Sequence, residues 1–168
     1  PKVRGYILEG HIRPGHFDGV LTVVLKLFNL IAPTNAYFGK KDTQQLLLLT
    51  QMVKSLFLPI TIIACQTIRE KSGLALSSRN VYLSQEEKSE ALKISKALNE
   101  VIKRVNKGEK SVSVLENTMQ EILSPLEIQY ALITNRKLES IQSIEMQNSV
   151  ALIAVKVGTT RLIDNIWF

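Results

Sequence analysis

A turn rich in positive charge lies between a short apolar run and a longer apolar helix pattern. Gly39 is followed by Lys40, Lys41 and Asp42, and the carboxyl ends of strands line the ligand crevice in a parallel α/β sheet. N–H groups at a helix N-terminus favour anions, a glycine allows close approach, and lysines add charge suited to phosphate. The segment indicates a phosphate site, although no Walker A loop is present. The alternative is a plain strand-to-helix turn with two solvated lysines.

A second polar segment, Gly73–Asn80, reads Gly-Leu-Ala-Leu-Ser-Ser-Arg-Asn. The hydroxyls of Ser77 and Ser78 and the guanidinium of Arg79 could clamp a phosphate, because arginine binds oxyanions through two parallel hydrogen bonds. A polar linker between domains is the alternative interpretation. Arg69, just upstream, is either a ligand contact or one half of an ion pair between domains.

Five further side chains could do chemistry. For Gln44 and Gln45 a surface position is favoured, and the alternative is a crevice-facing amide that binds a substrate hydroxyl or carboxylate. His16 could act as a general base, but no carboxylate or nucleophile lies near it in sequence, so a structural role is favoured. His11 and His16 lack a third ligand and do not predict a metal site. Cys65 is expected to be an inert buried thiol.

The composition is that of a folded protein. Of the 168 residues, 45% are apolar and 21% are charged, which excludes a disordered chain. No apolar run approaches the ~18 residues of a membrane span, and no signal peptide is readable, so we expect a cytoplasmic protein. The net charge of +6 fits solvated lysines or an anionic ligand. Aromatic residues are too few, at 6%, to favour nucleic acid.

The elements that must position the first polar segment form a βαβ pattern. Apolar periodicity predicts helices over 17–31 and 46–58 and buried strands over 36–38 and 60–65. Asp42 stands where the N-cap of the second helix is expected. Strand, helix and strand over this distance predict a parallel sheet.

The second half has a different pattern. Ser84 and Glu87 form a capping-box sequence that predicts a long helix ending at Gly108. Ser113 opens another helix, and Pro125 stops it. Three strands are predicted over 126–134, 149–158 and 160–164. The predicted fold class is α/β, with part of an α/β domain over residues 1–68 and a small α+β domain over residues 69–168.

Four segments, taken together and in this order, resemble the pantothenate synthetases (pantoate–β-alanine ligases): Arg13–Phe17, Phe38–Gln45, Gly73–Asn80 and Arg161–Asn165. The resemblance covers essentially the whole chain. It implies a Rossmann-like nucleotidyltransferase domain with a smaller α+β lid domain, and a homodimer. It also implies an ATP- and Mg²⁺-dependent reaction that joins pantoate to β-alanine through a pantoyl-adenylate, without nucleic acid or membrane as a partner.

The same resemblance implies roles for single residues. Gln45 would bind pantoate, and the catalytic residues would be Lys41, Ser77, Ser78 and Arg79. Ile68 would lie against the adenine through its backbone. The full set of implied ATP-binding residues is Gly39, Lys40, Lys41, Asp42, Ile68, Leu76, Ser77, Ser78 and Arg79.

The chain also departs from the family pattern. Members begin with a strand and a His-x-Gly-His motif that supplies the proposed catalytic histidine, and no such motif occurs in these residues. The chain therefore resembles a C-terminal portion, and we expect it to be inactive alone. The alternative is a non-catalytic folded fragment or an oligomerisation module.

Overall fold

The computed structural model describes residues 4–168, and the chain divides into two compact units after Gln66. The sequence prediction placed a domain boundary after residue 68. The helices are α1 (Glu9–Ile12), α2 (His16–Ile31), α3 (Thr43–Ser55), α4 (Gln85–Asn106) and α5 (Val112–Leu123). The strands are β1 (Asn35–Gly39), β2 (Thr61–Cys65), β3 (Glu127–Asn135), β4 (Ser149–Val157) and β5 (Thr160–Trp167). Among the described residues, no helix has the length and apolarity needed to cross a membrane.

The first unit is built on a parallel pair of strands. β1 and β2 pair in register from Asn35 opposite Thr61 to Gly39 opposite Cys65, and α3 connects them, so the predicted βαβ unit is confirmed. Its small core contains Phe28 of α2, together with buried side chains of β1 and α3. Within residues 4–66 this core packs against one side of the two-stranded sheet.

Three burial predictions for this unit are wrong. β1 and β2 were expected to be buried, but most of their residues are exposed or half-buried, and the thiol of Cys65 is half-buried too. The apolar periodicity of α2 predicts one buried face, yet Val23, Leu27 and Ile31 on that face are exposed. The physical reason is the same in each case. Within residues 4–66, other residues pack against only one face of β1, β2 and α2, so the opposite face of each is left exposed or half-buried.

Helix α2 begins after a glycine and ends at a left-handed residue. Gly15 has φ of 76° and Ala32 has φ of 46°, and the Ala32 N–H donates to the Phe28 carbonyl at 2.8 Å. In the first turn the Tyr6 hydroxyl donates to the Asp18 carboxylate at 3.2 Å. This hydrogen bond and the charge of Asp18 raise the pKa of the Tyr6 phenol above its usual value.

The second unit is a three-stranded antiparallel sheet covered by two helices. The strand order is β3-β4-β5, and α4 and α5 pack against one face of it. The central strand β4 is buried along its whole length except at Lys156. Leu98 and Val101 of α4 meet Leu115 of α5 and Ile153 of β4 in a continuous apolar core. The α+β architecture predicted for this part of the chain is therefore confirmed.

The caps of the two helices differ from each other. At α4 the Ser84 hydroxyl accepts from the Glu87 N–H at 3.1 Å, and the Glu87 carboxylate accepts from the Ser84 N–H at 2.8 Å, which is the predicted capping box. Helix α5 begins at Val112 with Ser111 at the N-cap, so the predicted opening residue, Ser113, lies two residues after the N-cap. Ser111, which the sequence analysis did not single out, takes the N-cap position instead.

Candidate functional site

The first candidate site is the turn at the carboxyl end of β1. The strand ends at Gly39, Lys40–Asp42 form a single 3-10 turn, and α3 begins at Thr43. The Thr43 hydroxyl donates to the Lys40 carbonyl at 2.8 Å and fastens the turn to the helix start. A side chain at Gly39 would meet no atom within 4 Å, so the space beside this backbone is open for a ligand.

The charged residues of this turn lie at the surface of the first unit. Lys40 and Lys41 are half-buried and Asp42 is exposed. Asp42 occupies the N-cap position of α3, as expected, but its carboxylate makes no capping hydrogen bond. Two lysines and one exposed aspartate thus directly precede the first N–H groups of α3 in the chain. Such an arrangement can bind an anion while leaving one oxygen ligand for a cation.

The two glutamines of α3 have different environments. Gln44 is buried, with 4% of its surface exposed. Its Oε1 accepts from the Glu9 N–H at 3.0 Å, and its Nε2 donates to the carbonyls of Arg4 at 2.6 Å and Ile7 at 2.9 Å. The favoured surface position is therefore wrong for Gln44, because its amide holds the backbone of the segment before α1. Gln45, the next residue in the chain, is half-buried.

The second candidate site lies in the second unit and contains the Gly73–Asn80 segment. The Leu76 N–H donates to the Ile68 carbonyl at 2.9 Å. Ser77 caps the 3-10 turn Ser78–Tyr82, since its hydroxyl accepts from the Arg79 N–H at 3.2 Å. The side chains of Leu76, Ser78 and Arg79 are exposed, and Ser77 is half-buried. Ser78 and Arg79 are thus exposed to solvent on a short turn, with Ser77 half-buried at its start.

Arg69 makes an ion pair inside the second unit. Its Nη1 and Nη2 lie 2.6 and 2.9 Å from the two carboxylate oxygens of Asp164 on β5. Nη1 also donates to the Gly73 carbonyl at 3.1 Å. The sequence analysis left two roles open for Arg69, a ligand contact or an ion pair between domains. The structure shows an ion pair with both partners in the second unit.

The predicted site residues thus fall into two groups. Gly39, Lys40, Lys41, Asp42 and Gln45 lie together at the end of β1 in the first unit. Ile68, Leu76, Ser77, Ser78 and Arg79 lie together in the second unit.

The remaining chemical candidates do not form a site of their own. The Arg13 guanidinium lies 3.1 Å from Nε2 of His16, and the His16 ring packs against Phe17, as befits a structural residue. Residues 4–168 contain no group of three or more His, Cys, Asp or Glu side chains placed to hold a metal ion.

The comparison with protein families decides what kind of protein this is. The family described as pantoate-beta-alanine ligase matches residues 2–167. The chain belongs to this family. The match leaves out only the first and the last residue of the chain.

Individual family members give the same result. The pantothenate synthetases of Aliarcobacter butzleri and Helicobacter pylori are 52% and 50% identical, and the alignments cover 98% and 99% of this chain. The chain spans about 60% of the length of both proteins.

Solved structures of family members match the fold. The structure of pantothenate synthetase from Thermus thermophilus has a TM-score of 0.91 at 38% identity, covering 97% of this chain and 60% of that protein. A ligase from Francisella tularensis, complexed with β-γ ATP and β-alanine, has a TM-score of 0.70 at 36% identity and covers 99% of this chain and 56% of that protein.

Sequence reasoning missed three residues that support these sites. Gln44 was grouped with Gln45, because the sequence does not show which of two adjacent glutamines on a helix points inward. Glu70 and Asn80 received no role, although both lie within the hydrogen-bonded frame of the second polar segment. The one available signal was the amide of Asn80 directly after a Ser-Ser-Arg sequence, since asparagine commonly fastens turns.

Proposed function

We propose that this chain supplies part of the nucleotide and pantoate site of a ligase that condenses pantoate with β-alanine to form pantothenate, with ATP as the energy source. The observation that carries the proposal is the turn Gly39–Asp42 at the end of β1, where open space, two lysines and the start of α3 coincide. Membership of the pantoate–β-alanine ligase family supports the choice of substrates. The ATP and β-alanine in the Francisella tularensis complex support it further.

The proposed reaction has two steps. In the first, a carboxylate oxygen of pantoate attacks the α-phosphorus of ATP, and the bond to pyrophosphate breaks to give pantoyl-adenylate. The carboxylate is already ionised at neutral pH and needs no general base. In the second, the β-alanine nitrogen attacks the acyl carbon, AMP leaves with the bonding electrons, and the nitrogen loses a proton.

Fixed positive charge is what these residues contribute to the first step. Negative charge builds up on the α-phosphate and on the departing pyrophosphate, and prearranged cations stabilise that state more than the ground state. We assign Lys41 to the phosphates, with Lys40, Gly39 and Asp42 around the nucleotide. The amide of Gln45 can donate to and accept from the hydroxyl and carboxylate of pantoate.

The second unit supplies the other contacts in this proposal. Ser77, Ser78 and Arg79 are exposed or half-buried on their turn, and we assign them to the ATP phosphates, with Leu76 and Ile68 alongside the nucleotide. Arginine can bind two phosphate oxygens at once. None of these side chains is a base suited to take the amine proton in the second step.

Mg²⁺ fits this site only as a metal carried in by the nucleotide. No cluster of protein ligands exists among residues 4–168, and Asp42 offers a single exposed carboxylate. Sites that bind Mg²⁺ through one carboxylate and substrate phosphates are common. The metal would neutralise phosphate charge there.

Three further properties belong to the proposal. By analogy with the family, the whole ligase is a homodimer and works in the cytoplasm. The 168 residues contain no His-x-Gly-His motif, and we expect this stretch by itself to bind nucleotide without forming pantothenate. Positioning reactants can be worth effective molarities of ~10⁵–10⁸ M, and we expect residues without that motif to lose much of this contribution.

The test is a pair of measurements on the purified chain. Calorimetric titration with ATP and Mg²⁺ should show saturable binding, and thermal unfolding should shift upward as nucleotide is added. Incubation with ATP, Mg²⁺, pantoate and β-alanine should release no AMP on chromatography. Absence of nucleotide binding would favour the non-catalytic alternative, and rapid AMP release would show that these residues suffice for turnover.

A further inference from the structure

Asn80 closes the turn that carries Ser77, Ser78 and Arg79, and its carboxamide is buried. Only 6% of its surface is exposed, whereas the residues on either side of it are exposed. Its Nδ2 donates two hydrogen bonds, one to Oε1 of Glu70 at 2.9 Å and one to the carbonyl of Ala75 at 3.0 Å. One side chain thus joins three points of the polypeptide.

The chemistry of these contacts requires a neutral donor at position 80. Both partners of the Asn80 Nδ2 are oxygens, and the Glu70 carboxylate cannot donate while it is ionised. The Oδ1 of Asn80 is buried without a hydrogen-bond partner, which costs free energy. The side chain is therefore held in place by its two donated bonds, and a carboxylate in the same position would face two acceptors.

These bonds fix both ends of the exposed segment Leu76–Arg79. Its first end is held at Ala75, which bridges to Arg69 in an antiparallel pairing and accepts from Asn80. Its second end is Asn80 itself, whose N–H donates to the Ser77 carbonyl at 3.0 Å. Glu70 is held in turn, because its N–H donates to the Leu74 carbonyl at 2.8 Å.

We propose that Asn80 is a positioning residue for the proposed ligase reaction: through Glu70 and the Ala75 carbonyl it fixes the shape in which Ser77, Ser78 and Arg79 meet the ATP phosphates. This inference rests on the proposed function for its ligand. Its physical basis is preorganisation, since a segment with both ends fixed loses less conformational entropy when it binds. Asn80 itself touches no phosphate in this account.

The experiment compares variants of the 168-residue chain by two readouts. Hydrogen exchange without nucleotide follows the amides of Leu76 and Asn80, which are both hydrogen-bonded in the turn. Calorimetry with ATP and Mg²⁺ follows affinity well below the melting temperature. The variants are Asn80→Ala, Asn80→Asp, Glu70→Ala and Glu70→Gln, with Asn99→Ala as the matched control because Asn99 is exposed on α4.

We expect Asn80→Ala to speed exchange of the turn and weaken ATP binding by about ten-fold each, the scale of one to two lost hydrogen bonds. Asn80→Asp should speed exchange and weaken ATP binding at least as much, because its carboxylate would face two acceptors. Glu70→Gln should leave hydrogen exchange of the turn and ATP affinity close to those of the unchanged chain, because the glutamine amide oxygen still accepts from Asn80. The double variant Asn80→Ala with Glu70→Ala should weaken ATP binding no more than Asn80→Ala alone, since both substitutions remove the same hydrogen bond.

Each outcome decides a separate point. Unchanged exchange in the Asn80 variants overturns the inference, whatever happens to ATP. A lowered melting temperature with unchanged ATP affinity also overturns it, because Asn80 would then serve the fold alone. Faster exchange in a chain that binds no ATP even when unmodified supports the fixing of the turn by Asn80 and instead counts against the proposed function.

Discussion

Arg69 and Asp164 lie 95 residues apart in the chain and form a two-point ion pair, with N–O distances of 2.6 and 2.9 Å. The Asp164 side chain is 2% exposed and that of Arg69 is 31% exposed. The same carboxylate accepts from the Asn165 N–H at 2.8 Å, and the same guanidinium donates to the Gly73 carbonyl. The pair thus fastens the start of the second polar segment to strand β5.

The first prediction is that Asp164→Asn destabilises the second unit by about 2–3 kcal/mol, because it leaves the partly buried Arg69 without its charge partner. Arg69→Lys should cost less, since the charge remains while the second bond is lost. Trp167, the single tryptophan, lies on β5 and reports unfolding in urea. Glu121→Gln on the exposed face of α5 is the control. Equal urea midpoints of unfolding for all variants would contradict a stabilising role for the Arg69–Asp164 ion pair.

The second prediction contrasts the two glutamines of α3. Gln44→Ala should destabilise the first unit by about 2–3 kcal/mol, because it leaves buried backbone groups without their partners. Gln45→Ala removes the same side chain from a half-buried position and should change stability by less than about 0.5 kcal/mol. Hydrogen exchange at the Glu9 amide, which donates to Gln44, gives a direct readout. Similar exchange rates in the two variants would contradict the assignment.

Local patterns predicted the elements well because each signal acts within a few residues. The capping box at Ser84 and the β-branched run at 60–65 act through neighbouring backbone groups and side-chain shape. The N-cap of α5 was predicted two residues late, at Ser113 instead of Ser111, since either serine can stand at a helix N-terminus. Local chemistry leaves such a choice to the packing of the helix.

Burial and pairing were the parts that sequence could not supply. The apolar periodicity of α2 shows which side chains lie on one face of the helix. It does not show whether any other part of the first unit packs against that face. The partner of Arg69 lies on a strand at the far end of the chain, and sequence spacing contains no information about that contact. Gln44 and Gln45 are adjacent and chemically identical, so only the direction of α3 distinguishes them.

The third prediction concerns Lys41, which lies at the end of β1 beside the start of α3. Lys41→Ala should weaken ATP binding by about ten-fold or more, since one charge-assisted contact to phosphate is lost. In a complete ligase the same change should slow adenylate formation by ~10²–10³-fold. Lys54→Ala removes an equal charge from an exposed site at the other end of α3 and should leave binding unchanged. Equal affinities for the two variants would exclude Lys41 from the phosphates.

The last prediction concerns the geometry of Arg79. The Arg79 side chain is exposed and its N–H donates to the Ser77 hydroxyl at 3.2 Å, so the guanidinium can move onto phosphate while the backbone stays in place. Arg79→Lys should weaken ATP binding almost as much as Arg79→Ala, because lysine keeps the charge but loses the two parallel donors. ATP should also slow hydrogen exchange in this turn, and the slowing should disappear in both variants. A lysine variant that binds like the unchanged chain would reduce the role of Arg79 to that of a point charge.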